Sequence, residues 1–573
     1  MIKTKTIRGF RQPAFLSIIL IMSLVLTACG DATSTTAPSS ATTAASAQVT
    51  TAAAGSPATT TAAGGTSAAT AASASTTTAA GTTAGAASGP AIGTLTLALD
   101  RDVQSLDPIM TYALNNGRWQ QNVFSTLVYR NTDLKIVEGA GLATSWKYID
   151  DKTLTMELRK GVKFHNGEDF NADAVVFTFT RLLDPANKSP QRFNYTSIDR
   201  VEKIDDFNVK FIFKEVDPVM IVKLAGYGAA IVPPKFIQEK GNDYVSQTSI
   251  PGTGPFKIVE YKKDNSLTLE AFDGYFGQQK AKLKKVVYRI IPDEATRLSE
   301  FLSGGVDILT VTPSQSESAK TAKGRKVVVV GVPTVSGIRL DTSKAPTDNL
   351  KIRQAIAASI DTKAVIDTIL NGYGIPQAIW QSPFSFGYED SLKPYAYDLN
   401  KAKQLVAESG VASPKIVYNY QAQSAQDKEV ALTVKSMIEK AGIQVELKPK
   451  EAATFFDEYR AGKLDNAILF GWGGWTLDAD NTYYSLYYTK ESYNPGYSNK
   501  EVDKLLTVQR STTEQAKRKD ALTQINKLIY ADYPDVMLYQ QQYLWGVADR
   551  IKDFVAPPDE RLWLLNVSVT DNK

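Results

Sequence analysis

With 573 residues the chain is long enough for more than one domain. Its 64 Lys and Arg against 60 Asp and Glu leave a net charge of +4, interspersed and without a basic stripe, which argues against nucleic acid as a partner. One cysteine and one histidine exclude disulfides and thiolate metal sites from an exported body, together with the Cys/His clusters of the common zinc hydrolases.

Lys3, Lys5, Arg8 and Arg11 precede an apolar run over residues 15–26. At 1.5 Å per residue that run spans about 18 Å, short of the ~30 Å hydrocarbon core, so it reads as an export signal and not an anchor helix. Leu26-Thr27-Ala28-Cys29 resembles a bacterial lipobox, which makes residues 1–28 a lipoprotein signal peptide and Cys29 the lipidated residue. Residues 29–92 are almost wholly Ala, Thr, Ser and Gly after the cysteine. Such a segment cannot bury enough surface to offset its ordering entropy, and as a flexible tether of roughly sixty residues it has an end-to-end distance of about 40–45 Å. Further on, the apolar stretch 219–232 is short and holds Lys223, so no later run has membrane length.

The body opens with strand-like alternation, Leu95, Leu97 and Leu99 on one face, followed by the turn signal Ser105-Leu106-Asp107-Pro108. Leu154, Met156 and Leu158 alternate with Thr153, Thr155 and Glu157, again the period of a half-buried strand. Residues 169–171 can cap a helix whose apolar face uses Val175, Val176, Phe179 and Leu182, with Pro185 just beyond its end. The glycine-rich residues 251–257 lack the spacing of a phosphate-binding loop and run into a strand, so they read as a turn. Asp348 or Asn349 caps a helix carrying Ile352, Ile356 and Ile360, with a break near Asp361 and an end at Gly372. Residues 415–420, 427–440 and 443–447 form a βαβ pattern, and a helix over 451–461 feeds a strand over 466–470. Two such alternations predict a mainly parallel sheet with helices on both faces. Helices around 502–506 and 515–530 complete this region.

Several of these stretches carry an irregular pattern. Leu142-Ala143 with Ser145-Trp146, the run from Leu158 to His165 with Gly167, and Ala172-Asp173 with Val175-Val176 closely resemble the signature of the family 5 extracellular solute-binding proteins. These are the receptors of oligopeptide, dipeptide and nickel ABC importers. The glycine-rich turn at 251–257, Ser303 to Ile308, and Ile352-Arg353-Gln354-Ala355 with Ile360-Asp361 match further elements of that family. The resemblance covers the whole body. It implies an α/β, two-lobed periplasmic-binding-protein-like clamp (class II, three-domain family 5 type) with mixed sheets and a cleft between lobes. The larger lobe would comprise 93–345 and 541–573 with an inserted subdomain at about 135–250, and the smaller lobe 346–540. The chain would cross between them near 335–342 and 538–546. The partners so implied are a peptide or small-molecule ligand and the permease subunits of an importer, with the membrane reached through the lipid on Cys29. The receptor would be a monomer and would need no cofactor.

In open α/β sheets ligands sit beyond the carboxyl ends of strands. Gly471-Trp472-Gly473-Gly474-Trp475 occupies such a place, its glycines permitting close backbone approach and its indoles offering flat apolar area with one donor each. Trp472 matches a tryptophan that lines the family's peptide pocket. Where the peptide receptors carry an aspartate for the ligand's α-ammonium group, this chain has Trp475, so an amine anchor would need Asp478 or Asp480 as substitute. Without one, blocking the amine of a peptide should cost little. Tyr112, Asn115, Arg339 and Trp380 are further contact candidates by analogy, Arg339 for a ligand carboxylate. Ordinary packing or an internal salt bridge explains each of these residues equally simply.

The sole histidine, His165, lies inside the packing signature, and neither a nucleophile elbow nor H-E-x-x-H is present. The expected function is therefore a binding receptor and not an enzyme. Peptide leads among ligands, with oligosaccharide and nickel chelate as alternatives. A secreted carbohydrate-active enzyme, which needs only two suitably spaced carboxylates, is the remote alternative.

Overall fold

The computed structural model describes residues 91–570 apart from 112–115, 246–247, 423–424 and 495. The export signal, Cys29, the tether and the candidates Tyr112 and Asn115 lie outside the described residues.

The alternating leucines at the start of the body do form a strand, Thr94–Leu99, with Leu95, Leu97 and Leu99 at most 1 % exposed. Burying each contributes about 1.5–3 kcal/mol. That strand lies inside an eleven-stranded sheet. From one edge to the other the order is Gln444–Lys450, Lys415–Gln421, Ala467–Trp472, Arg325–Leu340, Asp535–Ala548, Ile308–Val311, Thr94–Leu99, Lys285–Ile290, Ser266–Ala271 and Phe256–Lys262, with Gly374–Pro376 pairing on Asp535–Ala548. A separate antiparallel sheet joins Ala143–Asp150, Thr153–Leu158, Asn208–Phe213 and Ile198–Asp205. The helix Ala172–Leu183 packs into the core of this second sheet through Val175, Phe179 and Leu182. Asn171 caps it by accepting from the Asp173 amide at 3.0 Å.

The βαβ pattern is present as Lys415–Gln421, the helix Ala425–Lys440 and Gln444–Lys450, and both Gln444–Lys450 and Ala467–Trp472 pair parallel to Lys415–Gln421. The sheet is mixed beyond these three strands. Arg325–Leu340 and Asp535–Ala548 follow antiparallel because each runs the full distance between the two halves of the sheet. Their ladder holds from Arg325↔Ala548 to Gly331↔Gln542, breaks, and resumes at Val335↔Gln540. Pro333 sits in the break, where its missing N–H costs no ladder bond. One core surrounds the Thr94–Leu99 half. The other half has a core on each face, since Ala467 and Leu469 point to one and Ile468 and Phe470 to the other.

Candidate functional site

The same two-residue period sorts the glycine and tryptophan loop. Continuing from Ile468 and Phe470, Trp472 falls on their face, its ring centroid 6.1 Å from that of Phe470 and 5.3 Å from that of Tyr493. Its indole N–H donates to Thr482 Oγ1 at 3.1 Å. Gly471 faces the opposite way, and the chain then leaves the sheet. A Cβ on Gly473 would stand 2.5 Å from Thr334 Oγ1, so only glycine lets the loop lie this close to the broken ladder. Trp475 reaches across to the other half, where a Cβ on Gly226 would be 2.9 Å from its Cζ3.

Gly473, Trp475 and Leu477 wall a cavity of about 180 Å³ together with Val332, Pro333 and Thr334 from the ladder break. The far wall is Arg130, Gln191, Gly226, Gly228, Tyr543 and the segment from Pro558 to Arg561. A second cavity of about 330 Å³ shares Thr334 and Tyr543 and extends past Gly471 to Ser336, Gln541 and Asp427. Gln421 and Gly471, at the carboxyl ends of Lys415–Gln421 and Ala467–Trp472, line it, where the strand rule places ligands.

Charge in the first cavity is heavily paired. Asp559 holds Arg130 at 3.3 Å and Arg561 at 2.6 Å. Arg118 binds Glu560 at 2.7 Å, and Glu560 also bonds the Tyr543 hydroxyl, which burial pushes well above its ordinary range. Arg130 Nη1 donates to the Trp475 carbonyl at 3.2 Å, tying the loop across the cleft. The Trp475 indole N–H is buried and has no hydrogen-bond partner among the described residues.

The other sequence candidates are placed elsewhere. Arg339 is 1 % exposed, packs over the Tyr487 ring at 4.8 Å and pairs with Asp535 at 3.7 Å. That guanidinium is sealed in the core and lines neither cavity. Trp380, 2 % exposed, packs on Phe470 at 5.0 Å between centroids. Asp478 caps the helix Ala479–Tyr487 and takes both Arg518 nitrogens at 2.6 and 2.9 Å. Burial raises its carboxyl against the pull of that arginine. Asp480 is bound by Arg510 at 2.9 Å and by Gln509. Gly474 is buried against Thr482 and lines neither cavity. Of the loop, therefore, Gly473 and Trp475 meet the first cavity, while Trp472, Asp478, Arg339 and Trp380 do not.

Sequence reasoning missed Arg130, Asp427, Tyr543 and the Pro558 to Arg561 segment. Their neighbours in space are hundreds of residues away in the chain, as with Arg118 and Glu560 at a separation of 442, and only the Pro-Pro pair before Asp559 hinted at a special turn. His165 lines neither cavity. It accepts from the Gly252 amide at Nδ1 (3.1 Å), and its Nε2 meets the Gly254 carbonyl at 3.0 Å, the pattern of a neutral ring with the proton on Nε2. Burial lowers its pKa to about 4. Among the described residues no three His, Cys, Asp or Glu side chains converge as a metal site.

Such an arrangement of indole, glycine backbone and paired charges between two halves of a sheet suits capture of a ligand. The family described as bacterial extracellular solute-binding proteins, family 5 middle, matches residues 139–494. The "Probable D,D-dipeptide-binding periplasmic protein DdpA" of Escherichia coli (strain K12) is 30 % identical over 492 residues, covering 81 % of this chain and 92 % of that relative. Heme-binding protein A of Haemophilus influenzae is 29 % identical over 473 residues, covering 76 % and 85 %. The crystal structure of the ABC transporter substrate binding protein CtaP from Listeria monocytogenes superposes with a TM-score of 0.76 at 25 % identity, covering 84 % of this chain and 100 % of that one. The chain thus belongs to the family 5 bacterial extracellular solute-binding proteins.

Proposed function

We propose that this chain is a lipid-anchored, monomeric receptor that captures an oligopeptide or dipeptide between two lobes and delivers it to the permease subunits of an ABC importer. The observation that carries this reading is the cavity at the ladder break, whose walls come from both halves of the sheet: Gly473 and Trp475 on one side, Arg130, Gly226 and Arg561 on the other. Residues 331–335 act as the hinge, and closing it brings the two walls together. Extended peptide backbone, with a donor and an acceptor at each residue, suits a slot lined by glycine backbone and an indole. The dipeptide-binding relative favours the same ligand class.

The test is calorimetry and thermal unfolding with a panel of di- to pentapeptides, beside oligosaccharides. A bound peptide at about 100 times its Kd stabilises by about 2.7 kcal/mol and raises Tm by several degrees. Stabilisation by oligosaccharides alone would replace peptide as the ligand and leave the receptor assignment intact.

A further inference from the structure

The two halves of the molecule also face each other away from the Trp475 cavity. The antiparallel sheet that contains Thr153–Leu158 belongs with the Thr94–Leu99 half, because Phe276 packs against both cores and His165 holds the Gly252 turn. The helices Ala479–Tyr487 and Lys500–Arg510 belong with the Ala467–Trp472 half, whose core takes Tyr483, Leu486, Val502 and Leu506. Between sheet and helices lies a cavity of about 490 Å³. Next to its lining residues Lys152 and Ser511, Thr513 Oγ1 donates to Asp151 Oδ1 at 3.2 Å and joins the two sides. Each wall carries one ion pair. On the sheet side Asp217 binds Lys223 at 2.6 Å, and on the helix side Arg510 Nε binds Asp480 at 2.9 Å. The Arg510 guanidinium lies 3.7 Å over the Tyr484 ring, which stacks in turn on Tyr488. Its side chain is 41 % exposed, against 5 % for Asp480, 5 % for Asp217 and 17 % for Lys223, so Arg510 has the most room to move. Burial opposes the Arg510 charge, and Asp480, Tyr484 and, from the opposite wall, Asp217 hold its pKa above the ordinary range. Lys152 and Glu215 complete the charged lining with opposite signs.

We propose that Arg510 is a latch across this cavity. As the hinge closes, the guanidinium stays on Tyr484 and Asp480 and turns its Nη edge to the Asp217 carboxylate, so that the antiparallel sheet holds the closed form. Arginine suits this task, since a planar fork with five donors can serve two carboxylates at once and stack on a ring. The walls that approach here continue those of the Trp475 cavity: Gln191, Gly226 and Leu477 line the one, and Asn194, Lys223 and Asp480 the other. Motion that narrows the first gap therefore narrows the second. The inference rests on the hinge of the receptor reading and on no particular ligand. If Arg510 served only to fix Asp480, its loss would change stability and leave the separation of the halves as it is.

Cys29 is the sole cysteine, so the full chain with Cys29→Ala takes spin labels only at introduced sites. Asp206→Cys on the antiparallel sheet and Lys519→Cys on the helix Gln515–Asp532 are exposed positions on the two halves. Pulsed EPR on the ligand-free protein then reads how far the halves stand apart. Arg510→Gln and Asp217→Asn should each reduce the short-distance fraction about two- to fivefold, the range an ion pair at a partly exposed site supplies. The double variant should lose no more than either single one, and Arg510→Lys should keep part of the effect. Raising NaCl to about 1 M should act like Arg510→Gln on the latched chain and do nothing further to that variant. Should Asp217→Asn fail to fold, the Arg510 variants and the salt series decide alone. An unchanged distance distribution in Arg510→Gln, additive losses in the double variant, or a chain with intact Arg510 that shows no short-distance fraction would overturn the latch. Distances that respond as expected in a chain that binds none of the peptides would keep the latch and remove the peptide reading.

Discussion

Two tryptophans three residues apart in one loop have different work to do. Trp475 meets the cavity, so Trp475→Ala should weaken ligand binding by roughly 1–3 kcal/mol with little change in stability, as measured by calorimetry and denaturant unfolding. Trp472 packs on Phe470 and Tyr493, and Trp472→Ala should instead lower unfolding stability by roughly 1–3 kcal/mol and affect affinity less. A larger affinity loss at Trp472 than at Trp475 would move the pocket. Arg518 offers a sharper stability test. Its side chain and that of Asp478 are 3 % and 6 % exposed, so Arg518→Met leaves an uncompensated buried carboxylate and should cost about 3–5 kcal/mol in urea unfolding. The double variant Arg518→Met, Asp478→Asn should recover part of that loss.

At the scale of elements, the His165 ring ties the turn that precedes the Phe256–Lys262 strand. Gly252 and Gly254 press against the backbone of Asn122 and Val123 there, which explains the glycines without any phosphate. The ring titrates near 6.5 when unfolded and near 4 in place. Because the folded pKa is the lower one, the unfolded chain binds the extra proton between these values. The neutral ring's contribution is fully present above pH 6.5 and lost as pH falls toward 4. By pH 5 the loss is about 2 kcal/mol. Thermal and urea unfolding at pH 7.5 and pH 5 should therefore show a larger drop for the wild type than for His165→Gln, by about that amount. Equal drops would mean that the ring is not held neutral.

For the whole molecule, the hinge reading requires a change of shape. Small-angle scattering should give a smaller radius of gyration with a confirmed ligand than without it, since ligand bridging both walls favours the closed form. Identical curves would remove closure as the mode of capture. The proposed lipid anchor is tested apart from binding: Cys29→Ala should release the exported chain from the membrane fraction while leaving ligand affinity unchanged. Mass spectrometry of the anchored form should find lipid on a chain beginning at Cys29.

Local structure was legible wherever one face of one element decides it. The leucine alternation at 95, 97 and 99, the Asn171 cap, the break at Asp361 and the βαβ unit after Lys415 all depend on short-range periodicity and capping, and all stand in the structure. An irregular signature from Leu142 to Val176 sufficed for the family. The candidate site was legible only in its loop, Gly473 and Trp475, because a strand end is a local feature. Arg339 and Trp380 show what was missing: side-chain chemistry alone does not say whether a guanidinium or an indole faces a cleft or a core. Asp427, Arg130, Asp559 and Arg561 come from chain segments that meet only when both halves of the sheet are assembled. Which charges are paired in the cavity beside Trp475 depends on those long-range contacts, so the sequence by itself determined the class of the molecule and tertiary packing alone decided how the charges of the candidate site are paired.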